Sequence, residues 1–139
     1  GRILRSMIKL LIMLTFISGS LIGKTIKEEI YSCTNNFGEV AVRVFFNPKV
    51  YCQENPTHPA TLVKESRYGA TVYDGTLTST ESGAVFKFKQ TIDENEFILE
   101  LNLPHEMGKG SLCSIYDRDV SSELDLNCII KQIHVECEP

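Results

Sequence analysis

Residues 85–103 read Val-Phe-Lys-Phe-Lys-Gln-Thr-Ile-Asp-Glu-Asn-Glu-Phe-Ile-Leu-Glu-Leu-Asn-Leu, two alternating runs on either side of Asp93-Glu94-Asn95. In the first run, Phe86 and Phe88 alternate with lysines. In the second run, apolar residues recur at every second position from 97 to 103. Because successive side chains of a strand point to opposite faces, this period predicts two half-buried antiparallel strands joined by a short hairpin turn.

The same period of two extends over most of the chain beyond this hairpin. The predicted strands cover 28–34, 39–46, 59–65, 68–78, 83–91, 96–103, 111–117 and 123–136. About eight short strands at this spacing predict an all-β domain, either a small antiparallel β-barrel or a β-sandwich. A change of phase between Ile130 and Ile133 indicates a bulge in the last strand. Gly69 and Gly75 weaken or bend the strand over 68–78.

The first twenty residues have a different character from the rest. Residues 7–20 contain Lys9, an apolar run over 10–17 and then small residues, which is the layout of a secretory signal peptide. We therefore expect a leader at 1–20, in which 1–6 are upstream residues and 7–20 are the signal, followed by a single domain at 21–139. Cleavage after Ser20 and cleavage after Gly23 both fit the pattern. The apolar run is too short to span a bilayer, so we expect no stable membrane anchor after cleavage.

Charge restricts the class of partner. The 139 residues carry a formal net charge of −4, and removal of 1–20 takes away three basic and no acidic residues, which gives −7. An acidic surface repels phosphate backbones, so we expect no nucleic acid among the partners. A leader together with cysteines predicts a secreted or periplasmic protein.

All five cysteines lie beyond the leader, at 33, 52, 113, 128 and 137. A hairpin centred between Val120 and Ser121 would place Cys113 opposite Cys128, so this is the expected disulfide, with Cys33–Cys52 as a second candidate. Cys137 is then unpaired, or it takes Cys33 or Cys52 if the terminal strands are neighbours in a closed barrel. An odd count leaves one thiol, which is a buried spare cysteine or the link of a disulfide-bonded dimer.

One polar segment has a weak resemblance to a calcium-binding loop, in which oxygen ligands recur at every second residue. Its four candidate ligands are Asp117, Asp119, Ser121 and Glu123. Ser122 stands where such a loop needs glycine, and Cys128 stands where it needs the bidentate glutamate. We therefore expect a solvated hairpin loop here and no metal site.

Catalytic signals are missing from the sequence. No nucleophile motif, metalloprotease motif or glycine-rich phosphate loop occurs, and His58, His105 and His134 have no partner at a fixed spacing. We expect each histidine to be a surface residue, and we predict no catalytic residue and no cofactor. An enzyme is accordingly the less favoured class.

The sequence favours an exported, disulfide-stabilised β domain that binds a protein or a small ligand and does not catalyse a reaction. Loops on a rigid β scaffold are common recognition surfaces, and loops 47–59 and 104–110 are expected at one open end. One alternative is a lipocalin-like carrier of a small hydrophobic ligand, and a second is an enzyme whose site is not visible in sequence. The aromatic residues that would line a cavity or fill an ordinary core are Tyr68, Tyr73, Phe86, Phe88, Phe97 and Tyr116. No family is recognised from these residues.

Overall fold

The computed structural model describes residues 27–54 and 56–138, which form a closed antiparallel β-barrel of eight strands. The strands are β1 (Glu28–Thr34), β2 (Val40–Phe46), β3 (Thr57–Ser66), β4 (Gly69–Ser79), β5 (Gly83–Ile92), β6 (Asn95–Pro104), β7 (Gly108–Tyr116) and β8 (Asp119–Ile130). Each strand pairs with the next, and β8 pairs with β1. The all-β prediction is confirmed in its barrel form. The expected leader at 1–20 lies outside the described residues.

Local sequence explains two of the tight turns. Asp93 and Glu94 form the β5–β6 turn with positive φ angles of 48° and 68°, at the position where the alternation predicts a hairpin. The β1–β2 turn contains Gly38 at φ 68°, a backbone conformation that glycine adopts without steric cost. Within the described part of the chain, no helix is long and apolar enough to cross a membrane.

The β7–β8 hairpin differs from its prediction. Its turn lies at Asp117 and Arg118, with φ angles of 50° and 72°, and not between Val120 and Ser121. Cys113 therefore faces Glu123 across the hairpin, and Cys128 faces Gly108. The last strand ends at Ile130, so the predicted extension to 136 is wrong. The register shift expected at 130–133 is found instead between Ser114 and Ile115.

The disulfides follow from closure of the barrel. Cys33 and Cys128 face each other directly in the β1–β8 pair, with their Cα atoms 4.1 Å apart, and form one bridge. Cys52 and Cys137 form the other, with Cα atoms 5.4 Å apart. The expected pairs Cys113–Cys128 and Cys33–Cys52 do not form, because β1 lies next to β8. Cys137 takes Cys52, one of the alternatives open to it, and Cys113 is the free thiol.

Apolar side chains fill the barrel. The largest fully buried ones are Phe46, Phe86, Ile30, Leu62, Leu99, Leu101, Leu126, Val42 and Val44. Phe88 and Phe97 are partly buried and pack against this core. Tyr68 does not belong to it, because its side chain lies on the β3–β4 turn and is 90% exposed.

The two ends of the barrel differ in construction. One end has four short connections, at 35–39, 67–68, 93–94 and 117–118, and we call it the base. The other end, which we call the mouth, is formed by the β2–β3 loop, the turns at 80–82 and 105–107, and the tail at 131–138. The β2–β3 loop contains a short 3-10 helix, Pro48–Cys52.

Candidate functional site

A pocket of about 440 Å³ lies at the mouth. Its lining comes from the β2–β3 loop, from the upper ends of the strands and from His105 in the β6–β7 turn. The two segments that sequence analysis selected, 47–59 and 104–110, therefore meet at one end of the barrel. The volume lies within the usual range of small-molecule sites, roughly 300–1,000 Å³.

The β2–β3 loop forms one wall of this pocket. The Asn47 side-chain oxygen accepts a hydrogen bond from the backbone N–H of Lys49 at 2.9 Å and caps the 3-10 helix, while Pro48 suits its first turn. The helix then directs Val50 inward, where it is buried, and leaves Tyr51 on the rim. Local chemistry thus fixes the loop in a conformation that presents apolar groups to the pocket.

The tail is attached to this wall from outside. Cys137 forms a disulfide with Cys52 at the end of the 3-10 helix, and the ammonium group of Lys49 donates to the backbone oxygen of Glu136 at 3.0 Å. Ile133 packs against the core. The loop and the tail therefore form one covalently linked rim.

The opposite wall is held by His105 and the β4–β5 turn. The Nε2 atom of His105 lies 2.9 Å from the backbone oxygen of Thr80. Thr80 closes its turn with a hydrogen bond from its N–H to the oxygen of Gly83 at 2.8 Å. The Thr80 hydroxyl accepts from the N–H of Gly83 at 3.1 Å. His105 thus ties the β6–β7 turn to the β4–β5 turn, and its contact is structural.

Three aromatic rings meet in the pocket. The Phe46 ring centroid lies 6.4 Å from that of Tyr31 and 5.9 Å from that of Tyr51, the latter edge to face. The Tyr31 hydroxyl donates to the backbone oxygen of Pro104 at 3.2 Å. Burial, and to a smaller extent Tyr51, raises the pKa of Tyr31 to about 12, and burial also raises the pKa of Tyr51. Both phenols are therefore neutral over the physiological range.

His58 lies in the pocket wall and is only 8% exposed. It stands on β3 in alternation with Ala60 and Leu62, which are buried in the interior. Its Nδ1 atom is buried and has no hydrogen-bond partner. Burial lowers the pKa of its imidazole below the usual 6.5, so the ring is neutral. The expectation that His58 is a surface residue is wrong.

The other two histidines do not share this environment. His105 is exposed although it lines the pocket, and His134 lies on the exposed tail with its Nε2 atom 3.7 Å from a carboxylate oxygen of Glu136. His58 and His105 therefore line one pocket, whereas His134 is separate. In the described residues, neither pocket histidine is hydrogen-bonded to a hydroxyl or thiol nucleophile. The described residues therefore do not place a nucleophile–base pair of the acyl-transfer type at either pocket histidine.

The four candidate calcium ligands are divided between the β7–β8 turn and strand β8. Asp117 lies in the turn itself, whereas Asp119 and Glu123 lie on β8. Ser121 falls at the register shift, and its hydroxyl donates to the backbone oxygen of Ser114 at 3.0 Å. No set of three or more histidine, cysteine or acidic residues in 27–54 and 56–138 is placed to hold a metal ion.

The loops of the site are predictable from the sequence, whereas the strand residues below them are not. Tyr31, Phe46 and Leu77 lie within strands and contribute to the pocket only because the barrel brings their ends together. His58 had a detectable signal. If the strand predicted at 59–65 begins two residues earlier, the alternation with Ala60 and Leu62 places His58 on the inward face.

Comparisons with protein family models, with curated proteins and with solved structures each find no match.

Proposed function

We propose that this chain is an exported, disulfide-stabilised β-barrel that binds a partner at its mouth and does not catalyse a reaction. The observation that carries the proposal is the pocket of about 440 Å³ lined by the rings of Tyr31, Phe46 and Tyr51. Concave sites with apolar and aromatic walls and a few polar groups are typical of small-ligand binding. The rim, linked by Cys52–Cys137, is a rigid support for such a site.

Export is the second part of the proposal, and two features support it. One is the signal-like segment at 7–20, and the other is the presence of two intramolecular disulfides, which persist in oxidising compartments. Production of the full chain in a host with a secretory pathway tests this part. The exported form should begin at Leu21 or Lys24 with four of its five cysteines oxidised. A reduced, full-length protein in the cytoplasm would contradict it.

The mouth is a better site than the interior of the barrel. A carrier needs an internal cavity, whereas Phe86 and Leu99 are fully buried there and Phe88 packs edge to face on Tyr73 at 5.1 Å. An enzyme that used His105 would need a reactive group beside its ring, and the Nε2 atom of His105 is instead bonded to the backbone oxygen of Thr80. Binding requires neither feature.

Fluorescence titration with N-phenyl-1-naphthylamine, a neutral apolar probe, tests the site. The probe should bind to the purified, oxidised protein, and Tyr51→Ser should weaken its binding because the ring that is removed lines the pocket. Phe37→Ser is the matched control, since that ring is 83% exposed at the base. Equal loss in both variants, or no loss in Tyr51→Ser, would refute a mouth site.

A further inference from the structure

We infer that the mouth takes an amphipathic organic cation, whose apolar body lies on the floor of the pocket and whose positive head group lies at the rim. This inference rests on the proposed function and specifies the chemistry of its ligand. Three properties of the mouth support it, namely an apolar floor, a polar rim and a surplus of negative charge around the opening.

The floor of the pocket is apolar and buried. Val50, Leu77 and Ala84 line it, together with the rings of Tyr31 and Phe46, and all five residues are buried. The Tyr31 hydroxyl already donates to the backbone oxygen of Pro104. Apolar ligand surface gains free energy when it leaves water, whereas a polar group placed here would lose its hydration. The floor therefore favours the hydrocarbon part of a ligand.

The rim has the opposite character. The exposed lining residues are Tyr51, Gln53, Glu54, Pro56, Ser79 and His105, and all except Pro56 carry polar side chains. His105 is engaged with the backbone oxygen of Thr80, whereas the carboxylate of Glu54 has no hydrogen bond or ion pair within residues 27–54 and 56–138. A head group at the rim can contact such side chains and remain hydrated.

The charge around the opening decides the sign of the head group. Five glutamates and two lysines lie in the connections at the mouth, 47–56, 80–82, 105–107 and 131–138. Glu54 is the one lining residue with a formal charge at neutral pH. The nearest lysine in sequence, Lys49, donates instead to the backbone oxygen of Glu136 on the tail. Because an opening bordered by one sign of charge concentrates the opposite ion, the mouth attracts a cation and repels an anion.

Tyr51 favours a cation for an independent reason. Its ring packs against Phe46 and is still 57% exposed on the rim. The face of an aromatic ring carries partial negative charge and attracts an ammonium group. Burial raises the pKa of Tyr51, so the phenol keeps its proton and acts as a neutral ring. A cationic head group therefore gains from the ring as well as from Glu54.

The test uses three naphthalenes that differ in the head group. 2-Naphthylmethylammonium is a cation, 2-naphthylmethanol is neutral and 2-naphthylacetate is an anion. In displacement of N-phenyl-1-naphthylamine at neutral pH and low salt, the cation should bind about fivefold more tightly than the alcohol, as expected for an exposed ion pair with a cation–π contact. The anion should bind most weakly. A cation that binds no more tightly than the alcohol or the anion would overturn the inference.

The variant Glu54→Gln removes the charge at the rim and keeps the size of the side chain. Its preference for the cation over the alcohol should fall to about twofold or less. The preference is a ratio of two affinities measured on one protein, so a change in overall stability cancels. Glu39→Gln is the matched control, because it removes the same charge from an exposed residue at the base, and it should keep the wild-type preference. An unchanged preference in Glu54→Gln, or an equal loss in both variants, would overturn the role of the rim.

Failure of the inference can be separated from failure of the proposed function. If 2-naphthylmethanol binds and Tyr51→Ser weakens it, but no preference for the cation appears, the mouth is a binding site and only the ligand charge is wrong. If none of the naphthalenes binds and Tyr51→Ser leaves N-phenyl-1-naphthylamine unaffected, the mouth is not the binding site and both proposals fail.

Discussion

His58 shows how one buried side chain links stability to pH. Its imidazole is neutral in the folded barrel because burial lowers its pKa, whereas in the unfolded chain it titrates near 6.5. Between these two pKa values the unfolded chain binds more protons, so acidification favours unfolding. The contribution of His58 to stability is therefore fully present above pH 6.5 and is lost as the pH falls through the lower, folded pKa.

The unfolding free energy of the wild type, measured with urea at several pH values from 8 to 5, should fall on acidification. The fall should be smaller in His58→Phe because the group that gains the proton is gone. His134→Gln is the matched control, since this histidine lies on the exposed tail, and it should keep the wild-type slope. Identical slopes in His58→Phe and the wild type would contradict the burial argument.

Gly75 is a residue whose missing side chain shapes the barrel. A Cβ atom at this position would collide with the backbone oxygen of Lys87 on β5. The pairing of β4 with β5 covers only Thr76–Ser79 and stops next to this glycine. Gly75 thus lets β4 and β5 approach each other closely at the point where their pairing ends. This agrees with the bend that a glycine at this position of the strand predicts.

Gly75→Ala should lower the unfolding free energy by roughly 1–3 kcal/mol, because backbone atoms must move to admit the methyl group. Urea denaturation at neutral pH measures this loss. Gly108→Ala provides the comparison, since a Cβ atom there would meet its nearest atom at an ordinary 3.7 Å. It should change stability by less than about 0.5 kcal/mol. A neutral Gly75→Ala would show that the strands can separate without cost.

At the scale of elements, alternation predicts strands better than it predicts their partners. The β5–β6 hairpin is predicted correctly because Asp93 and Glu94 separate two clear runs. The β7–β8 turn is displaced because Asp117 and Arg118, which form it, begin a mostly polar stretch over 117–123, so no apolar run marks where β8 starts. The displaced turn moves Cys113 away from Cys128.

Closure of the barrel is the property that local sequence does not contain. Cys33 and Cys128 are 95 residues apart in sequence and meet only because β8 returns to β1. The alternative in which Cys137 pairs with an early cysteine depends on the same closure. The mouth is only partly predictable for a similar reason. Its loops can be recognised from their composition, whereas Tyr31 and His58 lie at the mouth only because of the order in which the strands pair.

The two disulfides differ in exposure, and this difference predicts an order of reduction. Cys33 and Cys128 are 1% and 3% exposed, whereas Cys52 and Cys137 lie on the surface. A mild dithiol reductant should therefore release Cys52 and Cys137 first, since thiol–disulfide exchange requires access to sulfur. Timed alkylation and peptide mass analysis in the Cys113→Ser background, which removes the free thiol, measure the order. Earlier alkylation of Cys33 or Cys128 would contradict it.

At the scale of the whole molecule, the barrel consists of two four-stranded halves, β1–β4 and β5–β8. The halves meet at two seams on opposite sides. One seam is the β1–β8 pair, from Tyr31–Ile130 to Thr34–Asn127, and the other is the β4–β5 pair. Each contains four residue pairs, whereas the remaining strand pairs contain six to ten.

The two seams are closed by different means. A buried disulfide joins β1 to β8, and because it closes a loop of about 95 residues its loss should cost roughly 2–5 kcal/mol. Aromatic rings close the β4–β5 seam below Gly75. There Phe88 packs edge to face on Tyr73 at 5.1 Å and on Phe97 at 6.4 Å.

Because the seams lie on opposite sides and share no residues, damage to one should leave the other intact. Phe88→Ala should cost about 3 kcal/mol and accelerate amide hydrogen exchange in Thr76–Ser79 and Ala84–Lys87. Cys33→Ala with Cys128→Ala should accelerate exchange in β1 and β8 instead, and the combined variant should lose the sum of the two costs within about 0.5 kcal/mol. Tyr73→Phe, which keeps its ring, is the control and should be nearly neutral. If either change accelerates exchange at both seams, the halves separate as one cooperative unit and the account of two independent closures is wrong.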